Sequence, residues 1–173
     1  MKIRFPGINI YFLLLLLAAT AGCQSEGHKR GKEAATLRLF LESGRGSMDT
    51  GTGVPIYRAN PIRISVDREP FLTEADLDSA SVVDLPGGFG IEAQFNGHGA
   101  LVLEGVTVAH KGQRIAVQSH FGETRWLAAP MINKRISNGQ LTFTPDATRE
   151  EAERIVRGLS NVVAKIKKKE QGW

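Results

Sequence analysis

One cysteine, four histidines and scattered carboxylates are the residues of this chain with obvious chemistry to offer. The cysteine is the most informative. Cys23 stands directly behind Thr20-Ala21-Gly22, small residues that close an apolar run from Ile10 through Leu13, Leu14, Leu15, Leu16 and Leu17 to Ala19, with Lys2 and Arg4 ahead of it. A positive stretch, an apolar core of about 7–15 residues and small residues at a cleavage site make a secretory signal. A spanning helix needs roughly 20 apolar residues, and this run falls short. The pattern predicts a signal peptide over residues 1–22 and lipidation of Cys23 as the first residue of the mature chain. Gln24 follows where aspartate often marks inner-membrane retention, so the expected address is the bacterial cell envelope, lipid-anchored in the outer membrane and facing the periplasm.

The remaining candidates do not assemble into a reactive site. His28, His98, His110 and His120 lack metal-ligand spacing, and no metal or cofactor is expected. Ser119 and His120 are adjacent, so on a strand they point to opposite faces and make a poor nucleophile–base pair. Gly-x-Ser-x-Gly is absent. Asp76, Asp78 and Asp84 read as turn caps or solvated acids. The Gly-rich stretch Ser43–Gly53 has no Gly-Lys-Ser/Thr behind it, so it reads as a loop rather than a phosphate cradle. Phe121 and Trp126, near one hairpin, form a possible apolar binding patch. The chain is read as a non-enzyme.

Composition narrows the partners. Cleavage before Cys23 leaves 151 of 173 residues, enough for one domain with a real core. Loss of Lys2 and Arg4 lowers the formal charge from +4 to +2, which is no nucleic-acid footprint. With Cys23 given to lipid, no intramolecular disulfide is available, and packing must supply stability.

The elements that would position these residues follow in order. Residues 23–35 are polar and read as a flexible tether, with the domain over 36–173. Strands are expected at Leu37–Glu42, Ile62–Val66, Ala80–Asp84, Phe89–Phe95, Arg114–Gln118, Thr124–Ala128 and Leu141–Thr144. Thr73-Glu74-Ala75-Asp76 reads as a capped helical turn. A helix is expected from about Gly99 to His110, although its β-branched residues and Gly105 weaken it. The clearest element is the last helix: Thr148-Arg149-Glu150-Glu151 is a capping box, and Ala152, Ile155, Val156, Leu159, Val162, Val163 and Ile166 fall on one face. Lys165, Lys167, Lys168 and Lys169 suit the negative end of its dipole.

The ordered set of segments over residues 61–165 resembles the periplasmic head region of the SecD-type protein-export subunit. Arg68–Leu77 followed by Ala80-Ser81-Val82 is similar to that family's Glu-Pro-Leu-Leu-Thr and Asp-Leu pattern. Gly112–Val117 and Trp126–Ile132 resemble its Gly-Lys-Arg-Leu-Ala-Ile-Val strand and Ser-Ala-Pro-Val-Ile segment. Ile136-Ser137-Asn138-Gly139 and Thr148–Ala152 resemble its closing turn and helix start. His120-Phe121-Gly122-Glu123 departs from the family's Asp-Gly turn, and the stretch between Pro130 and Thr148 is altered, so ligand contacts there are not carried over. The family's transmembrane motor has no counterpart behind Cys23. The resemblance implies an α+β fold, a mixed or antiparallel sheet packed by two helices, and a head that meets polypeptide. The expectation is a non-catalytic envelope lipoprotein that binds a polypeptide or an envelope protein partner. The alternatives are a structural envelope lipoprotein and an enzyme with dispersed site residues.

Overall fold

A computed structural model describes residues 33–43 and 52–172. Cys23, the signal peptide, most of the tether and most of the Gly-rich stretch lie outside these residues. The described residues fall in one compact unit, Glu33–Trp173. Its strands are β1 (Thr36–Leu41), β2 (Thr52–Ile56), β3 (Ile62–Val66), β4 (Leu77–Leu85), β5 (Gly88–Phe95), β6 (Ile115–Phe121), β7 (Glu123–Ala128) and β8 (Gln140–Phe143). The helices are α1 (Gly97–Ala109) and α2 (Arg149–Gln171).

The strands form two three-stranded sheets, β1-β6-β7 and β4-β5-β8, and a separate hairpin β2-β3. Every pairing is antiparallel. The mixed-or-antiparallel expectation therefore resolves to antiparallel, in an α+β fold. Two cores explain the layering. The larger joins the inner faces of both sheets to α2, through Leu37, Leu39, Ile91, Val117, Leu141, Ile155 and Leu159. The smaller lies on the outer face of the first sheet, where Val54, Ile56, Ile64 and Val66 of the hairpin cover Phe40, Ala116 and Ala129. In β1 the switch is visible along the strand. Leu37 and Leu39 face the first core, Arg38 is exposed, and Phe40 is buried under the hairpin.

Local chemistry accounts for the helices. Thr148 Oγ1 accepts from Glu151 N–H at 3.2 Å, and Glu151 Oε2 accepts from Thr148 N–H at 3.0 Å, so the capping box closes as read. Ala152, Ile155, Leu159 and Val163 then bury one stripe. Asn96 Oδ1 caps α1 through Gly99 N–H at 2.9 Å. The Thr73–Asp76 turn is a 3-10 helix with its own capping box.

Three differences stand out. Thr52 and Gly53, assigned to the loop, begin β2. That strand escaped notice because Gly53 and Pro55 break the apolar alternation. The final helix continues to Gln171, about one turn beyond its last apolar residue. The folded unit begins at Glu33, three residues before the compositional boundary. Ala35 is buried in the main core, and Asn161 Nδ2 donates to Glu33 O at 2.9 Å.

Candidate functional site

β7 closes the first sheet and β8 the second. Asp146 N–H, three residues past β8, donates to Leu127 O of β7 at 2.7 Å and ties the segment after β8 to the first sheet. Away from that tie lies a groove of about 540 Å³, walled by Pro130–Asn138 on one side and by Gln140, Leu141 and Thr142 on the other. A second cleft of about 290 Å³ continues along Thr142, Phe143 and Thr144, beside Tyr57, Leu85 and Pro130.

Register decides what β8 offers to this groove. Phe95 N–H donates to Gly139 O, and Ala93 and Ile91 lie opposite Leu141 and Phe143. Main-chain groups alternate sides along an antiparallel pair. Leu141 and Phe143 therefore bond to β5, and Gln140 and Thr142 turn their N–H and C=O outward. Gln140 N–H is taken by Asn138 Oδ1 at 3.2 Å. Among the described residues, Thr142 keeps its outward donor and acceptor without a partner, on an exposed residue that lines both clefts. Apolar footing comes from Ile132, Ile136 and the half-exposed Met131, and positive charge from Lys134 and Arg135. Arg135 is held by Glu104 of α1.

A charged cluster secures the tied end. Arg58, just past β2, donates its main-chain N–H to Asp146 Oδ2 at 2.9 Å and reaches Glu151 Oε2 at 3.4 Å. Arg125 of β7 reaches Glu151 Oε1 at 3.5 Å and donates to Asp146 O at 2.7 Å. The N–H of Thr148 donating to its carboxylate holds Glu151 below its ordinary acidity range, against an opposing effect of burial, with help from Arg125 and Arg58.

The residues singled out in the sequence land as follows. Phe121 and Trp126 do not form one patch. Phe121 packs toward the main core, beneath the Arg154 guanidinium at 5.0 Å. Trp126 packs on the outer core, edge to face with Phe40 at 5.2 Å. The cause is strand alternation. Phe121 shares a face with Ser119 and Val117, whereas Trp126 sits opposite Gln118. Ser119 is buried and His120 exposed, on opposite faces as expected, and His120 Nδ1 is 2.9 Å from Thr124 Oγ1. His98 Nδ1 is 3.0 Å from Asp76 Oδ1, and Asp76 Oδ2 accepts from Thr73 N–H at 3.1 Å. Asp84 pairs with Arg149, and Asp78 with Lys167. Among the described residues no group of His, Cys, Asp and Glu comes together as a metal site, and no helix is long and apolar enough to cross a membrane. Sequence reading missed Thr142 and Arg58, whose importance depends on which edge is free and on the long-range meeting of β2 with α2.

The chain matches no protein-family model and no curated protein. Solved structures do match. One describes "a membrane component SecDF that enhances protein export", 23% identical, covering 92% of this chain and 72% of that one at a TM-score of 0.55. A second is SecDF in "Super-membrane-facing form", 24% identical, with 78% of this chain covered at 0.54. The fold is SecD-like. The chain spans only 20% of the second structure, so the likeness concerns one portion of it. The SecD-like resemblance read over residues 61–165 therefore has its counterpart in three dimensions, over a larger share of the chain.

Proposed function

We propose that this protein is a non-catalytic lipoprotein of the bacterial envelope, anchored at Cys23 in the outer membrane, whose SecD-like domain binds extended polypeptide in connection with protein export. The free edge of β8 carries the reading. A segment laid along Thr142 gains main-chain hydrogen bonds whatever its sequence, and the adjoining clefts take alternate side chains. That mode suits a binder of many exported chains. The likeness to SecDF, described as enhancing protein export, supports the same direction. Phe121 stands as a second contact. Trp126, packed on Phe40 across the sheet, does not share its surface.

The test is site-directed crosslinking in intact cells. A photoreactive residue at position 142 should capture newly exported polypeptides, and one at the exposed Glu153 should not. Thr142→Pro removes the outward N–H and leaves the bonds of Leu141 and Phe143 to β5 in place, as edge strands tolerate. It should lower capture. Equal capture at positions 142 and 153, or capture no higher than that of an unrelated lipid-anchored protein, would overturn the reading.

A further inference from the structure

Ser119 is 2% exposed, and its hydroxyl is buried without a hydrogen-bond partner among the described residues. A buried polar atom left unpaired is rare enough to require a reason. This one lines a pocket of about 440 Å³ between the β6–β7 hairpin and the first turns of α2, a different place from the β8 groove. Gly122 forms the hairpin turn at φ +75°, a conformation that glycine adopts freely. We infer that this pocket is a second binding site, and that its ligand is an apolar group ending in a carboxylate.

The lining specifies that chemistry. Phe121, Leu127 and Ile155 supply apolar walls. Arg125 lies directly across the ladder from Ser119, and its side chain is 20% exposed. Arg154 lies over the Phe121 ring and gives its Nε to Glu33 at 3.3 Å. Its two terminal nitrogens have no partner among the described residues. A carboxylate entering here accepts from the Ser119 hydroxyl at the floor and from the guanidiniums at the mouth. Charge-assisted bonds of this kind are among the strongest available to a protein.

The acids in the lining do not reverse the choice. Both Glu151 oxygens are engaged, one by Arg125 and the other by Thr148 N–H and Arg58. Glu123 sits 3.7 Å from Arg125 with a side chain 72% exposed, so an incoming carboxylate displaces it at little cost. Inorganic phosphate has no apolar part to cover the walls of Phe121, Leu127 and Ile155. A cation would meet the like charge of the Arg154 guanidinium. The pocket volume suits a small amphiphile. A free small acid and the C-terminal residue of a polypeptide share the required chemistry.

Titration of the isotope-labelled full-length chain, followed through its amide signals, tests this. The probes are 4-phenylbutyrate, with 4-phenylbutanol and 4-phenylbutylamine as controls, and a short peptide ending in phenylalanine as free acid or as amide. The free acids should shift amides from Ser119 to Arg125 saturably, and the alcohol, the amine and the peptide amide should not. Tighter binding of the peptide acid assigns the source to a polypeptide C-terminus. Binding of 4-phenylbutyrate alone assigns it to a free acid. Ser119→Ala should leave the melting temperature unchanged or raised and weaken binding roughly tenfold, the worth of one hydrogen bond to a charged group. Arg154→Gln should weaken it by at least as much. Thr142→Pro should leave it intact, which separates this site from the strand edge. Equal binding of the alcohol, unchanged affinity in Ser119→Ala, loss of binding in Thr142→Pro, or no saturation by either acid would each overturn the inference.

Discussion

Gly158 of α2 lies against Ala35 so closely that a β-carbon on Gly158 would sit 2.8 Å from Ala35 N and 3.0 Å from Ala34 C. The approach seats residues 33–35 across the helix, where Glu33 reaches Arg154 and Arg157 at 3.3 Å each. The last three residues of the segment that composition assigns to the tether, 33–35, are thereby fixed to the domain.

Gly158→Ala sets two effects against each other. Alanine favours a helix by about 1 kcal/mol over glycine. Here the added methyl meets backbone, which cannot swing aside. Overpacking of this kind costs roughly 1–3 kcal/mol. The expected outcome is a lower denaturant midpoint, with loss of amide protection at Ala35. A raised midpoint would show that the N-terminal segment is not held against the helix.

Leu159 is fully buried in the main core. Leu159→Ala should destabilise by roughly 2–5 kcal/mol. Thr148→Ala opens the capping box and should cost about 1 kcal/mol. Urea unfolding of the two variants checks both, and an unchanged midpoint for Leu159→Ala would mean that α2 is not docked.

What was legible in the sequence was what depends on neighbours along the chain. The capping boxes at Thr73 and Thr148, the apolar stripe of α2 and the alternation in β1 and β3 all rest on separations of four residues or fewer. β2 was hidden because Gly53 and Pro55 interrupt its pattern, and only the paired Ile64 and Val66 give it a core to join. The placement of Phe121 and Trp126 failed for a related reason. Proximity in a hairpin does not determine which face a side chain takes. An unbroken register from the Phe121–Glu123 pair sets Trp126 opposite Gln118, three residues from Phe121 and so on the other face, toward the outer core. The free edge of β8 could not be read at all, because edges are decided by the order of strands in the finished sheets.

Glu151 provides a pH signature. Its folded-state pKa is depressed, first by the Thr148 N–H. A depressed carboxyl pKa contributes stability that is fully present above the unfolded value, near 4.3, and is lost as pH falls through the folded value. Stability should therefore decline from about pH 5 downward. The Glu151 side chain is 38% exposed, so solvent screening keeps the effect modest. Glu151→Gln retains an acceptor for Thr148 N–H but cannot titrate. Below pH 5 the difference between variant and parent should shrink. A constant difference from pH 7 to pH 3 would rule out this linkage.

Cys23→Ser tests the anchor. The Ala21-Gly22-Cys23 ending behind a leucine run is the basis of the proposed lipid attachment at this thiol. Two or more acyl chains hold a protein firmly at a membrane where one is marginal. The serine variant should lose metabolic labelling by fatty acid and leave the membrane fraction. Labelling that survives would exclude Cys23 as the site.

Trp126→Ala and Phe121→Ala separate packing from recognition. Trp126 stands edge to face on Phe40 at an interplanar angle of 62° and helps close the outer core. Its truncation should cost about 3 kcal/mol, the low end for a packed aromatic, because the ring is only half-buried. Phe121 is also half-buried, but it lines the Ser119 pocket and carries Arg154 above its ring. Loss of that cation–π contact should cost only about 0.5–1 kcal/mol, together with some loss of packing. Polypeptide capture, compared where both variants remain folded, should fall for Phe121→Ala and hold for Trp126→Ala. The opposite pattern, with capture lost only in the tryptophan variant, would move the contact surface to the outer face of the β1-β6-β7 sheet.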